Sequence, residues 1–194
     1  MQIVHDLKNQ LNGLKLYATF LRKRMERAER PADEQETLAK LISGLERAAS
    51  DMNVLVRFGR VLELRRQPGT DLARLLQDSA DGASVEADGG PFEGDFDPVL
   101  LAEALKNITA GAFGESGAAP EGGVPPRVRL SGDGSGAVVE WQGGGAAGGE
   151  DPFRSLAGAA GLRMALAAKI VRAHGGEVSS EGGRIRARLP LQER

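Results

Sequence analysis

Residues 4–28 read VHDLKNQLNGLKLYATFLRKRMERA. The apolar positions Val4, Leu7, Leu11, Leu14, Ala18, Leu21, Met25 and Ala28 recur at alternating spacings of three and four, the period that lines one stripe of an α-helix. Pro31, Ala32 and Asp33 interrupt the pattern, and it resumes at Leu38, Leu41, Leu45, Ala48, Met52, Leu55, Gly59 and Leu62. The first 66 residues therefore predict an antiparallel helical hairpin. Each helix carries an apolar seam and no third helix is at hand, so the hairpin is expected to pair with a second copy as a homodimeric four-helix bundle. The second helix is expected to reach about Arg66, outrunning the first, which suggests that a segment upstream of His5 is missing.

Gln67-Pro68-Gly69 breaks the helical pattern and divides the chain into domains at 1–67 and 68–194. Beyond it the expected elements are short and mixed. Thr70 is expected to cap a helix from Asp71 to about Ala80. Asp97-Pro98 opens a helix to about Phe113, since Asp caps well and Pro suits the first helical position. Arg127–Leu130 and Ala137–Trp141 form a hairpin across residues 131–136. A helix from Gly161 to His174 stops at Gly175-Gly176, and residues 177–180 with 184–189 form a last hairpin. The fold class is α+β, a sandwich with helices on one face of a sheet.

Composition narrows the chemistry. The 194 residues carry 25 Lys+Arg against 27 Asp+Glu, so nothing global favours nucleic acid or an anionic membrane as partner. There is no cysteine, and the two histidines are far apart in sequence, which removes thiolate sites and argues against zinc. No apolar run is long enough to span a bilayer, and the first residues lack the basic start of a signal peptide, so a cytoplasmic location is expected. The 27 glycines are about twice the usual share and concentrate in the second domain.

The reactive candidate is His5, in His5-Asp6-Leu7-Lys8-Asn9-Gln10. Leu7 and Leu11 belong to the seam, which puts His5, Asn9 and Asn12 on an adjacent, wetter face. An imidazole with an ordinary pKa of about 6.5 is largely unprotonated at neutral pH and can offer a ring nitrogen to phosphorus. Asp6 can orient it through the other nitrogen. The competing interpretation is an ordinary surface histidine near a helix start.

This hexapeptide resembles the phospho-acceptor box of the sensor histidine kinases, where a histidine followed by an acid lies on a dimeric helical hairpin. The resemblance implies that His5 is the phospho-acceptor and that Asn9 and Gln10 could orient a water for hydrolysis of a phospho-aspartyl partner. Residues 70–190 likewise resemble the family's ATP-binding domain. Gly161-Leu162-Arg163-Met164 through His174-Gly175-Gly176 aligns without gaps to its Gly-Leu-Gly-Leu helix ending in His-Gly-Gly.

The departures from that pattern bear on nucleotide. Where the family has an acid or amide and then two asparagines at four-residue spacing, the chain has Glu103, Asn107 and Gly111, and glycine offers no side-chain ligand to magnesium. Trp141 falls at the family's adenine-binding aspartate, with Gly143 and Gly145 following, and an indole is a donor only. The lid between Gly145 and Gly161 holds little besides Asp151-Pro152-Phe153. Arg163 and Met164 replace glycine and leucine where backbone would approach phosphates. Trp141 and Arg163 are therefore expected to occupy a vestigial pocket.

The implied function is a histidine phosphotransferase passing phosphate between receiver-domain aspartates through His5. No cofactor of its own is expected, magnesium coming with the receiver. The implied partners are a second copy and a response regulator receiver, with neither nucleic acid nor membrane. The alternatives are a non-catalytic module that binds a response regulator or inhibits a kinase, a receiver phosphatase, and an autokinase with a drifted nucleotide site. His174 is read as an end-of-helix residue whose charge the helix dipole favours. Arg22, Lys23, Arg24 and Arg27 are read as a solvated face, and Gly143, Gly144 and Gly145 as a degenerate loop.

Overall fold

The computed structural model describes residues 2–26, 32–80, 82–114, 126–134, 136–142, 151–156, 158–182 and 184–192. The chain forms two compact units, Met1–Arg60 and Val61–Arg194.

The first unit is a pair of packed helices, α1 (Gln2–Glu26) and α2 (Ala32–Gly59). Ala18 and Ile42 are its buried hydrophobic residues among those described, and Lys15 Nζ meets Glu46 Oε1 at 3.1 Å across the pair. α1 has 25 residues and α2 has 28.

The expected extension of α2 to Arg66 is not found. Gly59 ends the helix, Arg60 closes a turn onto the Arg57 carbonyl, and Leu62 leaves the seam. The reason is tertiary: Arg65 gives its N–H to Asp97 Oδ2 at 2.8 Å, and the Arg66 guanidinium donates to the carbonyls of Ala173 and Asp95. An N–H committed to another element is lost to the helical ladder.

The second unit runs β1 (Gln67–Asp71), α3 (Leu72–Ser79), β2 (Ser84–Asp88), β3 (Glu93–Phe96), α4 (Pro98–Phe113), β4 (Arg127–Asp133), β5 (Gly136–Gln142), α5 (Gly158–Ala173), β6 (Glu177–Glu181) and β7 (Arg184–Pro190). β1 and β3 pair antiparallel. The main sheet has the order β2-β4-β5-β7-β6, with β2 parallel to β4 and the other pairs antiparallel.

Strand alternation sorts this sheet into two faces. Val128 and Leu130, Ala137, Val139 and Trp141, and Ile185, Ala187 and Leu189 are all buried. They form a core with Leu72 and Leu76 of α3, Leu101, Leu105 and Ile108 of α4, and Leu166, Ile170 and Val171 of α5. The other face is a charge ladder, in which Arg127 pairs with Glu86, Arg129 with Asp88, Arg186 with Glu140 and Arg188 with Asp133. Such exposed pairs contribute little individually, ~0–1 kcal/mol. Their effect is to keep that face wet.

Two local expectations change. Gln67-Pro68-Gly69 lies within β1, and Thr70 is a strand residue whose Oγ1 donates to the Gln67 carbonyl. The cap of α3 is Asp71, whose carboxylate accepts from the N–H groups of Ala73 and Arg74. Asp97 caps α4 as expected, accepting from Val99 and Leu100 with Pro98 next in line. No helix among the described residues is long and apolar enough to cross a membrane.

Candidate functional site

His5, Asp6, Asn9 and Gln10 all lie on α1. The side chains of His5, Asp6 and Gln10 fall outside the described part of the structure; Asn9 is exposed. At 100° per residue, positions 5, 9, 12, 16 and 20 share the face of α1 opposite buried Ala18. That face carries Leu16 and Phe20, which are 58% and 69% exposed, with exposed Tyr17 beside them. Large apolar side chains in solvent beside a polar box are suited to contact with another protein.

The second unit holds the positions at which the sequence departs from the nucleotide-binding pattern it resembles. Glu103 and Asn107 are half-buried on α4, and Gly111 lies a turn further on. A β-carbon built on Gly111 would overlap Met164 Sδ and come within 2.8 Å of Met164 Cγ. Met164 itself is 2% exposed. The space that an asparagine would use at position 111 is therefore filled by a thioether from α5. A soft thioether and a glycine are no site for magnesium, which takes hard oxygen ligands.

Trp141 of β5 reaches the same helix. Its side chain is 1% exposed, and Nε1–H donates to Thr109 Oγ1 at 2.9 Å. Thr109 in turn donates to the Leu105 carbonyl at 2.9 Å. The indole thus belongs to the core between β5 and α4, with its one polar atom satisfied. It offers no acceptor to an adenine amino group. Thr109 escaped the sequence reading, although a donor-only indole demands a buried acceptor and Thr109 is the sole hydroxyl of α4.

The residues before α5 form a turn of their own. Asp151 Oδ1 accepts from the Phe153 N–H at 3.0 Å, and the Phe153 ring is buried. A β-carbon on Gly161 would lie 2.9 Å from the Ser155 carbonyl oxygen, so only glycine admits that backbone there. Arg163 is half-buried, and Met164 rather than Arg163 takes the space beside Gly111. Gly143 and Gly145 lie outside the described residues. No cluster of three or more His, Cys, Asp or Glu that could hold a metal occurs among the described residues. The side chains present at positions 111, 141 and 164 do not fit a magnesium–nucleotide complex.

His174 departs from expectation. Its ring is 1% exposed, and burial pushes its pKa below the ordinary value, against the carbonyl of Ile170 that favours the charged form. Nε2 accepts from the Asp97 N–H at 3.0 Å, so the ring proton is on Nδ1, which donates to the Ile170 carbonyl at 2.8 Å. A neutral, doubly bonded imidazole replaces the expected end-of-helix cation, because desolvation outweighs the dipole.

The chain resembles several solved structures. ShkA, solved full-length with AMPPNP, matches with a TM-score of 0.70 at 19% identity over 100% of this chain and 45% of that one. The fold is histidine kinase-like. ThkA in complex with the response regulator TrrA matches at TM-score 0.62 and 13% identity, over 98% of this chain and 61% of that one. The histidine kinase AdeS of Acinetobacter baumannii matches at 0.58 and 14%, over 92% and 96%. The chain thus spans less than half the length of ShkA. No protein-family model and no curated protein sequence matches the chain.

Proposed function

We propose that this kinase-like chain is a histidine phosphotransferase of a two-component phosphorelay that works without ATP. The closure of position 111 by Met164 is the observation that carries this reading: the fold's reactive histidine box remains on α1 while its nucleotide positions are filled by core side chains. In the transfer, a neutral His5 ring nitrogen attacks the phosphorus of a receiver's phospho-aspartate. The N–P bond forms, the acyl P–O bond breaks, and the carboxylate leaves on the receiver. Reversal onto a second receiver completes the relay. The step needs in-line positioning and charge neutralisation, and the receiver's own magnesium supplies the latter. Asp6 orients the His5 ring, and Asn9 and Gln10 serve a phosphatase reaction if water replaces the second receiver.

The exposed face of α1 that holds position 5 is the receiver's docking surface in this reading, with Leu16, Tyr17 and Phe20 as apolar anchors. The complex of ThkA with a response regulator supports such a partner. Self-association uses the other side of the hairpin, where Leu14, Leu21, Leu41 and Leu55 remain exposed in the single chain. We place the protein in the cytoplasm, where receivers reside.

The same apolar face also favours a second reading, a module that captures a receiver without chemistry. The two separate on incubation with a 32P-phosphorylated receiver. Acid-labile label on the wild type, absent from a folded His5→Ala variant, supports transfer. Receiver binding by both proteins with label on neither supports the module.

A further inference from the structure

The stretch 61–66 opens the second unit and is fastened to the rest of it by three polar contacts to residues 95, 97 and 173, each near His174 in the chain or bonded to it. Arg65 gives its N–H to Asp97 Oδ2. Arg66 donates from its guanidinium to the carbonyl of Ala173, the residue before His174, and to the carbonyl of Asp95. His174 accepts the Asp97 N–H and donates to Ile170, with the Phe96 ring edge-on at a centroid distance of 6.0 Å. Asp97 is the hub: one carboxylate oxygen caps α4 and the other holds Arg65.

We propose that His174 is the acid-labile pin of a clasp that fastens residues 65 and 66, at the start of the second unit, to β3, α4 and α5 of that same unit, so that mild acid loosens this opening stretch. A proton added to Nε2 turns that nitrogen from acceptor to donor. The Asp97 N–H then loses its partner and faces a donor instead. The new cation attracts the Asp97 carboxylate, whose negative charge favours it. A carboxylate drawn to the imidazolium leaves Arg65.

The ionisable groups facing the ring are Arg66 from the connecting stretch and Asp95 and Asp97 from β3 and its exit; its own helix presents the Ile170 carbonyl. Arg66 opposes the added charge and the two aspartates favour it. Burial adds to the opposition, so the clasp stays closed at neutral pH and opens only under acid.

The test is amide hydrogen exchange in the full chain from pH 7.5 to 5.0, corrected for intrinsic exchange, in the wild type and in His174→Gln. Glutamine keeps an acceptor and does not titrate in this range. The expected result is a severalfold loss of protection at Arg65 and Asp97 on acidification in the wild type, retained in His5→Ala and absent in His174→Gln. An equal response in wild type and His174→Gln, no response in the wild type, or a response abolished by His5→Ala overturns the proposal. If His174→Gln does not fold, an NMR titration of the wild-type His174 ring decides: protonation without a change at the Arg65 amide overturns it.

Discussion

Met164 and Gly111 are in close contact: a β-carbon on residue 111 of α4 would overlap the Met164 side chain of α5, which would have to shift to admit it. Gly111→Asn, which would place an asparagine where the resembled pattern has one, is therefore expected to destabilise the second unit by about 1–3 kcal/mol, the usual cost of overpacking a core. Met164→Ala alone is also destabilising, by about 2–5 kcal/mol, since it empties a buried site. The double variant should be more stable than the sum of the two losses predicts. Denaturant unfolding of the four proteins measures this, and strict additivity would contradict mutual exclusion at this contact.

The hydrogen bond from Trp141 to Thr109 gives a second, independent measure of the same region. Thr109→Val leaves a buried indole N–H without a partner and is expected to cost about 1–3 kcal/mol. In a Trp141→Phe background the same substitution should cost much less. Trp141 is the chain's one tryptophan, so its fluorescence reports the site directly: blue-shifted emission in the native state that moves red on unfolding.

Both buried ionisable groups of the clasp make the second unit weaker in acid. His174 has a folded pKa below the unfolded value of about 6.5, so its stabilisation is complete above that value and is lost as pH falls through the folded pKa. Asp97 is held below its ordinary 3.8: burial raises it, and the N–H groups of Leu100, Arg65 and Val99 more than compensate. Its contribution is present above 3.8 and lost as pH falls further, through the folded pKa. Unfolding free energy should therefore decline in two stages on acidification. His174→Gln should remove the upper stage and leave the lower.

Removing the hub is expected to be costly at neutral pH. Asp97→Ala strips the cap of α4 and the acceptor of Arg65, a loss of about 1–2 kcal/mol for the cap. Asp97→Asn keeps an acceptor oxygen and should lose less. Chemical denaturation at pH 7 ranks the three proteins.

On α1 the predictions divide by face. Leu14→Glu or Leu55→Glu should weaken self-association, each removing a side chain worth about 1.5–3 kcal/mol when fully buried, as read by sedimentation against concentration. Leu16→Ala with Phe20→Ala should leave self-association intact and raise the receiver concentration needed for half-maximal phosphotransfer. Dimer loss in the second variant would contradict the assignment of faces.

The sequence alone determined the elements that rest on local chemistry. The three-and-four spacing set both hairpin helices, Asp97-Pro98 set the start of α4, and alternation set β4, β5 and β7. These signals are local because helical period, capping and pleat act within a few residues. The glycine at position 111 and the tryptophan at 141 could also be read as departures from the nucleotide-binding pattern.

Tertiary structure alone decided what those departures became. That Met164 fills the space over Gly111, and that Trp141 finds its acceptor in Thr109, depends on how α4 crosses α5 and β5. Gly59 is a local stop that the seam pattern overrode in the sequence reading, whereas the acceptors that hold Arg65 and Arg66 outside a helix come from Asp97, Asp95 and Ala173, far along the chain. His174 makes the point most directly: its helix-end position favours a charge, and only burial against Phe96 and Asp97 reverses that preference.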